Sequence, residues 1–493
     1  MMKKWLLGIL MASVSVFADD RPNILWIYAE DINAGFFSCY GSKNSTPHID
    51  KLAGNGVRFE KCFVPSPVCS ASRSALITGM MPTTIGVHNH HSSRTVHSTH
   101  YLPEYIETLP ELFREAGYHV FNHGKDDYNF MYRRQDFYTG TDIPSYWYTW
   151  EGTGSWKDRK EGQPFFGQIN VEGGKASMSW GVYDAFKDRS DPAKVDVPPY
   201  YPDHPVIRKM IAETWDCARI TDNDVAGILA ELEKDGLLDN TIVFFFADHG
   251  FKGPRHKQFC YDGGLHVPLI ISNPRKEGGE VRKDMVSSLD VSATCLALAG
   301  IPIPEHMESR DLFAEGYKRD YVISTRDRCD FTIDRIRSVR TEQFKYIRNC
   351  KTDRPLMQAN YRESRVELKL MRQLHAEGRL TPEQDQFWQE ERMPEELYDL
   401  ENDPHEIHNL VNDPEYKADL ETLRAILDDW IKETDDQGQY PENPEDLRYM
   451  MQRWGDQCTA PEYEAARSTP LPGSPEKRVL DNAKRDAARR VGT

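Results

Sequence analysis

Two uninterrupted apolar runs constrain the fold of this chain more than any other feature. One is Asn23-Ile24-Leu25-Trp26-Ile27-Tyr28-Ala29, after Pro22. The other is Thr241-Ile242-Val243-Phe244-Phe245-Phe246-Ala247, after Asn240. A strand with one wet face alternates polar and apolar residues, whereas a run without alternation must be covered on both faces, as parallel strands between helices are. Between the runs lie helix starts: Thr46-Pro47, the capping-box spacing Thr108-Leu109-Pro110-Glu111, and a stripe of Val225, Ile228, Leu229 and Leu232 closed by Gly236. Strands alternating with helices predict an α/β fold with a mixed, mostly parallel central sheet between helices. The first run ends in Glu30-Asp31 and the second in Asp248-His249-Gly250. Ligands of such sheets gather beyond the carboxyl ends of the strands, so both groups stand where a site forms.

The pattern changes after Gly316. Tyr321–Ser324, Ile336–Arg340 and Phe344–Ile347 read as strands with polar interruptions, which predicts a smaller C-terminal antiparallel-sheet subdomain. The charged stretch 362–392 is expected to be helical. At the other end, Lys3, Lys4, the apolar run from Trp5 to Phe17 and Val16-Phe17-Ala18 read as a signal peptide over 1–18. The mature chain is then exported, periplasmic or secreted, with no membrane span. The expected division is 19–316 for the large domain, 317–470 for the subdomain and 471–493 for a loosely ordered tail. A net charge of −17 argues against nucleic acid as a partner and requires any anionic substrate to meet a locally basic pocket. The nine cysteines are too sparse for a disulfide scaffold, and Cys39 with Cys62 or Cys329 with Cys350 are only two of many pairings.

Cys69-Ser70-Ala71-Ser72-Arg73 reads C-x-A-x-R and opens a helix after Pro65 and Pro67. A helix N-terminus offers unpaired N–H groups and partial positive charge to an anion. This stretch resembles the motif of the formylglycine-dependent (type I) sulfatases of the alkaline-phosphatase superfamily. In that family the Cys of C-x-[PA]-x-R is oxidised to formylglycine (3-oxoalanine). The tail Glu396-Leu397-Tyr398-Asp399-Leu400, with Asp403-Pro404, Glu406 and Asn409-Leu410, is similar to their E-L-Y-D-L-x-x-D-P-x-E-x-x-N-L signature. The overall pattern is similar to carbohydrate sulfatases of the N-sulfoglucosamine sulfohydrolase type. The resemblance implies an alkaline-phosphatase-like fold and a sulfuric ester hydrolase acting through a formylglycine gem-diol. It also implies one divalent cation (Ca2+, or Mg2+), a formylglycine-generating maturation enzyme as partner, and a sulfated glycan as substrate.

Carboxylates and an imidazole beyond two strand ends make a hard-cation site. By resemblance the metal ligands are Glu30, Asp31, Asp248, His249 and modified Cys69, with Glu30 standing where Asp is usual. The implied catalytic set is Cys69, Arg73, Lys125 and Lys257, joined by Lys175 and His266. The family's His two residues after the first lysine is Asp127 here, and Lys175 falls near the slot of a second His. The general acid is therefore open among Lys175, His266 and His123. The loop His88, Asn89, His90, His91, Arg94, His97, His100 reads either as a polar surface loop or as a rim in which His88, His90 and His91 grip substrate. The aromatic segment 146–150, with Trp156, is read as sugar stacking or as core. Three alternatives stay open: an N-sulfoglucosamine-type sulfamidase, a phosphonate or phosphodiester hydrolase, and a catalytically silent glycan-binding protein.

Overall fold

The computed structural model describes residues 21–92, 100–132, 134–138, 152–178 and 181–468. The expected signal peptide, the tail, Arg94, His97 and the aromatic segment 146–150 lie outside them. A nine-stranded sheet is built from β1 (Asn23–Ala29), β2 (Val57–Phe63), β3 (His119–Gly124), β4 (Gly152–Thr153), β5 (Phe165–Val171), β6 (Thr241–Ala247), β7 (His266–Val267), β8 (Leu269–Ser272) and β9 (Glu280–Ser287). Its order is β4-β3-β5-β1-β6-β8-β2-β7, with β9 beside β2.

The four strands β3, β5, β1 and β6 are mutually parallel, and antiparallel strands flank them. Every residue of β1 and β6 is buried, as the absence of alternation requires. Trp26 of β1 sits edge-on to Phe166 and Phe246 at 5.3 and 5.2 Å, and its indole N–H points to Cys295 Sγ on the helix Asp290–Ala299. Ala29 is level with both Val171 of β5 and Ala247 of β6, so three parallel strands end side by side.

The helix Cys69–Thr78 is buried along its whole length and stops at Gly79, whose φ of +67° is the left-handed conformation that closes helices. Thr108 and Glu111 form the expected capping box on the helix Leu109–Glu115. The Val225 stripe belongs to the long helix Pro205–Lys234. The charged stretch 362–392 is helical only over Val366–Ala376 and Pro382–Asp385, because Gly378 at φ +63° turns the chain and Thr381-Pro382 starts a new helix.

A second sheet of β10 (Val322–Arg326), β11 (Ile336–Arg340), β12 (Phe344–Asn349) and β13 (Glu395–Asp399) is antiparallel throughout. The helix Lys417–Glu433 covers it with Leu420, Leu423, Leu427 and Trp430, against Val339, Tyr346 and Leu397. β10 also touches the segment leading to Cys69: Thr325 N donates to the Pro65 carbonyl at 2.9 Å and Ser324 Oγ to that of Val64 at 2.7 Å. The Glu-Leu-Tyr-Asp-Leu stretch is structural. Glu396 Oε2 accepts from the Tyr261 and Tyr398 hydroxyls at 2.6 and 2.7 Å, and Glu406 Oε2 accepts from Asp262 N at 2.9 Å. This braces the loop that carries Lys257. All nine cysteines are free thiols, so neither Cys39–Cys62 nor Cys329–Cys350 is a disulfide. Among the described residues no helix is long and apolar enough to cross a membrane.

That loop also holds a pH-sensitive group. His256 is buried, and desolvation, helped by Arg255 and Arg362 against the Gly263 carbonyl, pulls its pKa down to about 3. Below pH ~6.5 the unfolded chain takes up a proton that the folded chain refuses, so stability rises with pH across the window from about 3 to about 6.5. The expected slope from this residue is up to about 1.4 kcal/mol per pH unit, and it should vanish from urea unfolding curves of His256→Gln.

Candidate active site

Four parallel strands deliver their following residues to one edge: Lys125 after β3, Lys175 after β5, Glu30 and Asp31 after β1, and Asp248 and His249 after β6. The turn after β1 is sharp. Asp31 has φ +51°, its N–H donates to Asp248 Oδ1 at 3.1 Å, and Asp248 N donates to the Ala29 carbonyl at 3.1 Å. Gly173 and Gly174 let the loop after β5 press onto this turn, since a Cβ at either would stand 2.2 or 2.1 Å from the carbonyl oxygens of Glu30 and Asp31. The helix Cys69–Thr78 docks its N-terminus on the same edge, where Ser72 Oγ donates to the Asp248 carbonyl at 2.6 Å.

Cys69 Sγ lies 3.1 Å from Lys257 Nζ and 3.1 Å from His249 Nε2. Burial opposes ionisation of this thiol, but Lys125, Lys257, Lys175 and His249 outweigh it and hold its pKa down to about 5. The position therefore favours a negative charge. Arg73, one turn along the helix and 1% exposed, donates to Glu30 Oε1 at 2.9 Å, Asp248 Oδ2 at 3.2 Å, Asn170 Oδ1 at 2.9 Å and the Lys125 carbonyl at 3.2 Å. Lys257 Nζ is 2.9 Å from Asp31 Oδ1. Lys125 Nζ is 3.1 Å from Glu30 Oε1 and 3.0 Å from Asp127 Oδ2. Burial pulls the Lys125 ammonium down to about 8 despite Cys69 and Glu30. Asp31 is held well below the usual carboxylate range: Lys175, Lys257 and His249 overcome the effect of burial.

Asp31, Cys69, Asp248 and His249 bring four ligand atoms within 4.8 Å of one another, all buried. Two carboxylates, an imidazole and a replaceable group at position 69 suit a divalent cation. Glu30 stands outside that cluster. One of its oxygens is shared by Arg73 and Lys125 and the other is bonded to Lys175.

A cavity of about 890 Å³ opens over Cys69 and is lined by Lys125, Lys175 and Lys257 and by His90 and His91, with Met178, Met210 and Val366 farther out. His266, expected as a general acid, does not line it. Pairing of β7 with β2 sets the His266 ring beside Phe63, with Nε2 2.8 Å from the Glu60 carbonyl. His88 is buried outside the lining, and His100 is tied to Asp446 at 2.8 Å. Trp156 packs in the core against Phe121 and Phe165, and His123 is exposed at the end of β3. Asp127, noted in the sequence only as a departure from the family's His, lines the site, and sequence reasoning missed Lys252, Tyr361 and Arg362 in the lining. Arg362 supports the lysine loop through the Lys252 and Lys257 carbonyls at 2.8 and 3.0 Å. Only its position in a charged stretch hinted at it.

Two family models match this chain: "Sulfatase" over residues 22–193 and 181–301, and "N-sulphoglucosamine sulphohydrolase, C-terminal" over 248–357. The chain belongs to the sulfatase family. An ulvan-active sulfatase of Formosa agariphila is 33% identical over 471 residues, which cover 86% of this sulfatase and 77% of the relative. A Bacteroides thetaiotaomicron structure described as a sulfatase superposes with TM-score 0.61 at 23% identity, covering 85% of this chain and 94% of that one. Phosphonate monoester hydrolase of Agrobacterium radiobacter also superposes with TM-score 0.61, at 17% identity, covering 84% and 96%. The fold is thus common to both activities, and it is the sequence matches that make this chain a sulfatase, a hydrolase of sulfuric esters.

Proposed function

We propose that this sulfatase removes sulfate from a sulfated carbohydrate, with Cys69 in its formylglycine form as the nucleophile. The observation that carries the reading is an anion-favouring position at Cys69, ringed by Lys125, Lys175 and Lys257 beneath a cavity, in a chain with net charge −17. The size of that cavity suits a sugar ring, and its methionine and valine margin offers apolar surface to a ring face. The relative at 33% identity is described as ulvan-active, which agrees with a glycan substrate.

The roles follow from position. Lys125, Lys257 and Lys175 hold the sulfate oxygens and meet charge that grows as the ester cleaves. Arg73 fixes Glu30 and Asp248 and so keeps the site open to an anion. Asp31, Asp248, His249 and the oxygen at position 69 would hold a divalent cation, Ca2+ or Mg2+, which supplies Lewis-acid neutralisation of sulfate. His90 and His91 stand in the cavity wall where a sugar hydroxyl would arrive. A maturation enzyme that oxidises Cys69 is the implied partner, and residues 1–18 imply export to the periplasm or medium.

The test is sulfate release by matured enzyme from O-sulfated oligosaccharides, from glucosamine N-sulfate and from a phosphonate monoester. Release from the O-sulfated sugars is expected. Release from the N-sulfate alone would replace this reading with a sulfamidase, an alternative favoured by the match to the N-sulphoglucosamine sulphohydrolase C-terminal model. Faster phosphonate cleavage would point to the other hydrolase class, and tight glycan binding without turnover to a silent binding protein. Thermal unfolding checks the cation. Calcium at about 100 times its Kd should add about 2.7 kcal/mol over the EDTA-treated protein. No shift with calcium or magnesium would count against the cluster as a metal site.

A further inference from the structure

Resting on the sulfatase reading above, we infer that His91 is the proton donor to the leaving alcohol and that Asp330 positions it. The lysines nearest Cys69 are engaged with acidic or carbonyl partners: Lys125 with Glu30 and Asp127, Lys175 with Glu30, Lys257 with Asp31, and Lys252 with the Gly174 carbonyl at 2.5 Å. Lys209 in the outer wall is largely exposed and 3.7 Å from Glu213. His249 belongs to the metal-binding cluster. Two histidines remain in the cavity wall, His90 and His91. The ring of His90 is 2% exposed, and its Nδ1 is 2.6 Å from Ser70 Oγ. His91 is different. Its Nδ1 is 2.9 Å from Asp330 Oδ1, its Nε2 is 4.0 Å from Asp127 Oδ1, and its side chain is 13% exposed.

A carboxylate on Nδ1 fixes the ring orientation and favours the imidazolium, in which Nε2 on the other side also carries a proton. Here that side is the one shared with Asp127 and Lys125, next to the sulfate position. His91, Asp127 and Asp330 have φ of +63°, +57° and +50°, a conformation that non-glycine residues seldom adopt. Three such residues meet at one point, and the packing holds all three there. Asp330 is in turn fixed by Arg328, whose Nη1 donates to the Asp330 carbonyl at 2.8 Å. Among the described residues, the groups facing His91 include Asp330, Asp127, the ring of His90 at 3.4 Å, and Lys125 beyond Asp127.

The step balances without a further reagent. A new S–O bond forms from the hydroxyl at position 69, whose proton passes to solvent. The old S–O bond breaks and leaves its electron pair on the sugar oxygen, and that oxygen takes the Nε2 proton. Solvent then replaces that proton on the imidazole with the one it received.

The experiment compares matured wild type with His91→Asn and Asp330→Asn on phenyl sulfate and 4-nitrophenyl sulfate, which differ in how much their leaving groups need a proton. His91→Asn is expected to lose roughly 10²–10⁴ in kcat on phenyl sulfate and much less on 4-nitrophenyl sulfate. Asp330→Asn should move the alkaline limb of the pH–rate profile to lower pH, since it removes the carboxylate that favours the imidazolium. Equal losses on both esters, or no loss, would overturn the assignment. So would an unmoved alkaline limb in Asp330→Asn, a readout that stands if His91→Asn fails to fold. The glycan reading fails separately, if wild type cleaves the aryl esters and no sulfated sugar.

Discussion

Arg73→Ala should lower folding stability by about 3–5 kcal/mol and abolish turnover, because it leaves buried carboxylates without their partner. Glu30 and Asp248 are 3% and 0% exposed, and Arg73 bridges them in a single fork while also bonding Asn170 and the Lys125 carbonyl. The guanidinium lies over the Tyr28 ring at 4.2 Å as well, so the variant loses a packed plane along with a charge. Arg73→Lys keeps the charge but cannot reproduce the fork, and an intermediate loss is expected. Urea unfolding measures both. A change within about 1 kcal/mol for Arg73→Ala would mean that the carboxylates are satisfied without it, against the geometry described.

Cys69→Ala should reduce sulfate release by at least about 10⁴-fold, to the level left by binding and electrostatics alone. The rest of the anion site stays in place, so substrate should still bind. Cys69→Ser separates two functions. Its hydroxyl can attack sulfur once, but a serine sulfate ester has no second hydroxyl to expel it, and at most one sulfate per enzyme should be transferred. Sulfate counted against enzyme in a rapid-quench experiment checks this, and sustained turnover by either variant would contradict the role given to Cys69.

The sequence reading succeeded where one local pattern determines the structure. β1 and β6 were legible because a strand covered on both faces has no alternation, and the carboxyl ends of those strands located Glu30, Asp31, Asp248 and His249. Lys125 and Lys175 came only from the resemblance to family motifs; in the structure each follows a parallel strand, neither of which the apolar pattern had marked. The sequence reading failed where long-range pairing sets direction. His266 looked like a site residue by its place in a motif, yet the pairing of β7 with β2 turns its ring toward Glu60. Glu30, expected among the metal ligands, meets Arg73, Lys125 and Lys175, contacts that its place in the sequence did not show. The His91–Asp330 pair joins residues 239 apart in sequence, and no spacing rule reaches that far. Within one His-rich loop, His90 and His91 line the cavity while His88 is buried outside the lining, a distinction that residue spacing does not carry.

The most direct test of the central claim is the mass of the proteolytic peptide containing Cys69, taken from protein made in its native exporting host. Conversion to formylglycine exchanges sulfur for oxygen and removes two hydrogens, and the account predicts that shift in the active fraction. An unmodified Cys69 in protein that turns over sulfate esters would contradict it.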